Sequence, residues 1–270
     1  MTFFRKAGAF FLRDFISEKN YRTAFIVHIF NIIAVIAFFY FMAKLFNQQQ
    51  SLYLTRYKGD FFAFILVGLA YTRFLYIWLN SFSDSLQGEF HNGSLEIMLA
   101  TPTGIFEILF FSVLWNQIFA FIEVGLYLFA GAVFFKAHFT SSGYILALAT
   151  VLISMPIFTG LGIIYAALLM AVKKGGSLRA AMIFIFTFFG GVYFPVELLP
   201  RSLQIISHFL PVTYSLKAIR EVLINSQPLS FIYKDLLILA AFAIVLFPLS
   251  LFVFKQAFVR ARTNGTLTHY

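Results

Sequence analysis

Long apolar runs separated by short polar stretches dominate this 270-residue sequence, and they restrict the folds open to it more than any motif does. A helix needs about 20 predominantly apolar residues to cross a hydrocarbon core roughly 30 Å thick. The runs at 24–46, 61–79, 105–135, 144–172, 178–194 and 236–254 meet or approach that length, so six transmembrane helices are expected in a single membrane domain. Composition agrees: 61% of residues are hydrophobic and 11% charged, against about 25% charged in soluble domains.

Residues 1–22 read differently. Phe3, Phe4, Ala7, Phe10, Phe11 and Phe15 recur near helical spacing with Arg5, Lys6 and Arg13 between them, the pattern of a helix lying in the membrane interface. The segment is too charged to span, and a removable signal peptide is not expected. The fourth run carries Pro156, Gly160 and Gly162, which predict a kink or a close helix contact.

Residues 195–235 are punctuated by Pro195, Pro200, Pro211 and Pro228. Their helical stretches are too short to cross a bilayer. Leu203, Ile206, Phe209 and Leu210 share one face of the first; Leu216, Ile219 and Leu223 share one face of the second, opposite Lys217, Arg220 and Glu221. An amphipathic re-entrant hairpin before the last span is expected.

The net charge of +9 would suggest nucleic acid in a soluble protein, but here basic residues flanking spans and meeting anionic lipid explain it, and no nucleic-acid partner is expected. Lys and Arg concentrate in the N-terminal segment, the loop at 173–179 and the tail, which places both termini in the cytoplasm. The loop 81–104 fits this topology less well: it has no Lys or Arg and carries Asp84, Glu89 and Glu96.

Chemistry of its own is hard to find. There is no cysteine and no P-loop; Lys173-Lys174-Gly175-Gly176-Ser177 has the wrong order to cradle phosphate. Histidines 28, 91, 138, 208 and 269 are scattered, which argues against a metal site, and no Gly-x-Ser-x-Gly occurs. No catalytic, cofactor-binding or metal-binding residue is assigned. Glu107 and Lys44 sit within reach of span ends and can snorkel to the interface, which leaves Arg73 and Glu123 as the ionisable residues to explain inside spans. Two readings stand: a structural pair between helices, or a role in a substrate path or subunit interface. The 39 phenylalanines reflect either a lined path or compositional bias.

Two polar interruptions carry a resemblance. Gly88-Glu89-Phe90-His91-Asn92-Gly93-Ser94-Leu95-Glu96-Ile97-Met98-Leu99-Ala100-Thr101-Pro102 resembles the stretch between spans two and three in permease subunits of bacterial type-2 ATP-binding-cassette exporters. Gly190-Gly191-Val192-Tyr193-Phe194-Pro195-Val196-Glu197-Leu198-Leu199-Pro200, with Leu210-Pro211-Val212-Thr213-Tyr214 and Arg220, resembles that family's outer hairpin. The resemblance implies an all-α integral membrane protein with six spans, an N-terminal interfacial helix and an extracytoplasmic hairpin. It further implies ATPase coupling through Glu89, Gly93, Ser94, Leu95, Glu96 and Pro102, and an outer gate built from Gly191, Tyr193, Phe194, Pro195, Glu197, Pro200, Pro211, Tyr214 and Arg220.

The implied partners are two copies of a separate ATPase, which would bind ATP and Mg, a second permease copy, and membrane lipid, all in the bacterial cytoplasmic membrane. The implied cargo is a drug-like molecule or lipid; a lipid-linked polysaccharide is the alternative. A scaffold that moves nothing is the competing class.

Overall fold

The computed structural model describes residues 3–19, 22–46, 60–91, 105–172 and 176–263. Among these residues all regular structure is helical: α1 (Phe3–Lys19), α2 (Arg22–Phe46), α3 (Phe61–His91), α4 (Ile105–Phe135), α5 (Gly143–Val172), α6 (Gly176–Phe189), a 3-10 turn (Val196–Leu198), α7 (Arg201–His208), α8 (Pro211–Leu223) and α9 (Leu229–Thr263). Five of them, α2, α3, α4, α5 and α9, contain stretches long and apolar enough to cross a membrane. The shorter apolar helix α6 covers the fifth run, its 14 residues rising about 21 Å at about 1.5 Å each.

α3 is the pillar. In its most apolar window 78% of residues are buried, against 11% in α9, because α4, α5, α8 and α2 all pack on it. Phe64, Leu66, Phe74 and Trp78 are fully enclosed or nearly so, and Tyr71 and Phe74 meet Phe158 of α5 edge-on. The glycines of the fourth run do allow close contacts: a Cβ on Gly162 would lie 2.6 Å from the carbonyl oxygen of Trp78 on α3, and one on Gly160 3.1 Å from that of Leu246 on α9.

Three boundaries depart from the sequence reading. α3 does not stop at Leu79 but continues to His91, through half of the segment expected to be a loop. Its polar residues stay helical because their side chains find partners: Asn80 Nδ2 donates to the Tyr76 carbonyl at 2.7 Å and Ser83 Oγ to that of Asn80 at 2.9 Å. Between them, Phe82 and Leu86 keep the apolar spacing and bury in a second cluster with Val113, Ile163 and Phe254.

The last helix begins at Leu229 rather than at 236 and runs to Thr263. Pro228 precedes its first turn, Ile232 is fully buried, and Asp235 is held by Lys217 of α8 at 3.0 Å, so the extra turns are packed and paired. The fifth run gives up its helix at Phe189, where a Cβ on Gly190 would overlap the Phe186 carbonyl and Gly191 takes a φ of +76°. That left-handed conformation is open to glycine at little steric cost.

α1 packs against the start of α4. Phe10 meets Phe111 at 5.8 Å, and Phe11 and Phe15 both contact Trp115 edge-on, at 5.1 and 5.5 Å. Lys6 reaches Glu107 at 2.8 Å. Lys6, one of the charged residues that forbid α1 from spanning, thus ties it to the first turn of α4.

Candidate functional site

The hairpin is built from turn chemistry. Pro195 precedes the 3-10 turn, Pro200 precedes α7 and Pro211 occupies the first turn of α8, each where a missing N–H costs nothing. Gln204 Nε2 reaches back to the carbonyls of Leu199, at 2.8 Å, and Glu197, at 3.3 Å, closing the bend. Tyr214 Oη donates to the His208 carbonyl at 2.9 Å, joining α8 to α7. Burial, and secondarily the Asp235 carboxylate, raise the Tyr214 phenol above its ordinary value, so it stays a donor.

α7 turns its apolar residues outward: Ile205, Ile206 and Phe209 are exposed, whereas Ser207 is buried. Such a face suits hydrocarbon rather than water. α8 corrects the amphipathic reading. Leu216, Ile219 and Leu223 are buried as expected, but so are Arg220 and Glu221, which were expected on the opposite, solvated face.

The reason is a three-way lock. Arg220 donates from Nη1 to the Gly191 carbonyl at 2.7 Å, from Nη2 to that of Val192 at 2.8 Å, and from Nε to that of Phe64 at 3.2 Å. Its guanidinium carbon sits 3.4 Å from the Phe64 ring centroid. A planar fork with fixed donors suits this arrangement as an ammonium would not. The lock joins α8, the turn after α6, and the first turn of α3. Gly68 makes room for it: a Cβ there would overlap the Val192 carbonyl oxygen and lie 2.9 Å from Arg220 Nη2.

Aromatic residues surround the turn. Tyr193 stacks on Phe39 of α2 at 6.2 Å with 13° between planes, and Phe194 meets Phe188 edge-on at 5.3 Å. Ser215 of α8 shares a buried hydrogen bond of 2.8 Å with Ser154 of α5. Of the residues expected at this end, Gly191, Tyr193, Phe194 and Arg220 converge on the turn after α6. Pro195, Pro200, Pro211 and Tyr214 shape the hairpin, and Glu197 is exposed on its bend.

Deeper in the bundle, Arg73 and Glu123 pair. Arg73 Nε lies 2.8 Å from Glu123 Oε2, and Nη2 lies 3.1 Å from Oε1. The two lie at one depth because α3 runs on past Leu79. With the observed ends, each lies about 18 Å from the hairpin end of its helix, at about 1.5 Å per residue. His28 of α2, which looked isolated, brings Nε2 within 2.6 Å of Glu123 Oε1. One buried carboxylate therefore ties three helices. Among the described residues no group of His, Asp or Glu converges to hold a metal.

At the opposite end, Arg179 of α6 reaches Asp84 of α3 at 2.6 Å. Glu89 lies in the last turns of α3. Gly93, Ser94, Leu95, Glu96 and Pro102 lie outside the described residues.

Sequence reasoning missed Phe64, Gly68, Val192 and His28. Gly68 had a signal: it is the one glycine in the run 61–79, and a lone glycine in an apolar helix marks a close approach. Val192 acts through its backbone carbonyl, and Phe64 through its carbonyl as well as its ring; side-chain patterns do not report carbonyls. Comparison with known proteins aligns residues 7–224, from α1 through the hairpin, with a family described as ABC-2 type transporter. No curated protein matches the chain.

Proposed function

We propose a function from one established premise: this chain belongs to the ABC-2 type transporter family. It is a transport permease, a multi-pass membrane protein. The finer reading is that it forms the transmembrane path of an ATP-driven exporter, with hydrolysis carried out by two copies of a separate ATPase that bind ATP and Mg. A second permease copy completes the path. Both termini face the cytoplasm of a bacterium and the hairpin faces outward.

The observation that carries this reading is the Arg220 lock. It fixes a hairpin too short to cross the bilayer across one end of the central helix α3. A hairpin held at α3 and at the turn after α6 is suited to close the outer mouth and to move when those helices move. The coupling segment at the other end, from Glu89 to Pro102, continues directly from α3. α3 is thereby a rigid lever between the ATPase contact and the gate.

A hydrophobic or amphiphilic cargo, drug-like or lipid, fits the apolar spans. The polysaccharide reading is favoured by one feature, the Tyr193–Phe39 stack beside the hairpin turn, since aromatic faces suit sugar rings.

The test is a pair of substitutions, Leu95→Ala and Glu96→Ala, in the reconstituted complex. Hydrolysis is expected to persist while export falls at least tenfold and the permease melts unchanged. Normal export by both variants contradicts the coupling assignment.

A further inference from the structure

α4 and α5 are consecutive, yet both lean on α3 rather than on one another. The slot left between them, in the hairpin half of the bundle, has a volume of about 200 Å³. Val67, Ala70 and Phe74 of α3 form its floor, and Ile219 and Leu223 of α8 its roof. Among its lining residues only Tyr71 and Tyr144 carry a side-chain oxygen. An apolar cavity of roughly 150 Å³ stays dry and takes a hydrocarbon guest, so water does not fill this one. It is also smaller than the roughly 300 Å³ at which pockets for drug-sized ligands begin.

The slot has a side door. Gly125 of α4 and Tyr144 and Leu148 of α5 line it and are exposed on the flank of the bundle, which in a membrane faces acyl chains. Gly125 marks the door. Glycine is a poor helix former, and Gly68 and Gly131 are explained by neighbours that a Cβ would strike. A Cβ on Gly125 would meet nothing within 4 Å. The flank in front of the slot is therefore open at Gly125.

We propose that this slot is a lipid site that takes one acyl chain of a bilayer phospholipid, inserted sideways between α4 and α5 beneath the hairpin. Hydrophobicity does not favour the chain, since lipid tails are as apolar as the slot. Contact does, because wall atoms facing a void lose their dispersion partners. The chain would touch Ile219 on the same helix as Arg220, so the bound lipid supports the hairpin from below. The proposal rests only on the membrane-spanning arrangement, and its failure leaves the transport reading untouched.

The test uses the full chain in nanodiscs of phosphatidylcholine containing a phosphatidylglycerol with a photoactivatable diazirine on one acyl chain. After irradiation, labelled residues are located by mass spectrometry. Ile219 and Phe74, both enclosed, are expected to be labelled, as is Ile244 on the bare flank of α9. Gly125→Phe fills the door and Leu148→Trp narrows it from the other side. Each is expected to lower labelling at Ile219 and Phe74 at least tenfold with Ile244 unchanged. Absence of label at Ile219 and Phe74 while Ile244 is labelled overturns the proposal. So does undiminished labelling in both variants, which would mean that the probe arrives by another route.

Discussion

Arg220 donates from Nη1 to the carbonyl of Gly191 at 2.7 Å, joining a buried cation on α8 to the one backbone position of the hairpin turn that needs a left-handed conformation. The two residues are specified for unrelated reasons, one for its fork of donors and one for its lack of a Cβ. Together they fix where the hairpin sits on α3.

Arg220→Lys is therefore not a conservative change. A single ammonium cannot serve three carbonyls arranged around a planar group, and each buried acceptor left unpaired costs about 1–3 kcal/mol. A loss of about 3 kcal/mol is expected by equilibrium unfolding in detergent. Export is expected to fall with it, since the hairpin loses its register on α3.

Gly68→Ala tests the same contact from the other side. The new methyl would overlap the Val192 carbonyl oxygen, and overpacking of this kind costs about 1–3 kcal/mol. Gly8→Ala is the control: a Cβ there meets nothing within 4 Å, so unfolding is expected to be unchanged or slightly harder.

The Arg73–Glu123–His28 cluster yields a test that separates structure from transport. Glu123→Ala takes the carboxylate away from the half-buried Arg73 guanidinium and is expected to cost about 1–3 kcal/mol. Replacing the set together, with Arg73→Met, Glu123→Leu and His28→Phe, is expected to restore most of that stability. If the restored protein exports normally, the cluster is a helix tie; if it is stable and fails to export, the cluster belongs to the path.

How much of this was written in the sequence depends on which atoms carry the contact. Apolar run lengths placed α2, α4 and α5 to within two residues, because hydrocarbon burial is a property of side chains in order. Run length ends α3 at Leu79, yet the helix continues to His91 because polar residues do not by themselves stop a helix. The Asn80 amide N–H, the Ser83 hydroxyl and the Asp84 carboxylate are polar but paired, by carbonyls of their own helix or by Arg179. The burial of Arg220 and Glu221 was invisible for the opposite reason: helical periodicity reports which face is apolar, not which backbone carbonyls wait opposite the polar one. His28 needed the third dimension altogether.

α1 offers a contrast between exposed charge and buried ring. Reversing the Lys6–Glu107 pair one residue at a time, as Lys6→Glu or Glu107→Lys, is expected to change stability by under about 1 kcal/mol, because the pair is partly exposed. Trp115→Ala removes the ring that both Phe11 and Phe15 contact and is expected to release α1 from α4. Limited proteolysis within residues 3–19 measures that release directly.

The central claim is that this chain supplies the path and a partner supplies the ATP chemistry. The most direct measurement is ATP hydrolysis in proteoliposomes made from the permease purified out of its native membrane with whatever accompanies it. The account predicts that a P-loop ATPase co-elutes and that its hydrolysis persists when the permease carries Leu95→Ala and Glu96→Ala, while export into the same proteoliposomes falls at least tenfold. A stable permease complex with no nucleotide-binding subunit, or export indifferent to those substitutions, contradicts it.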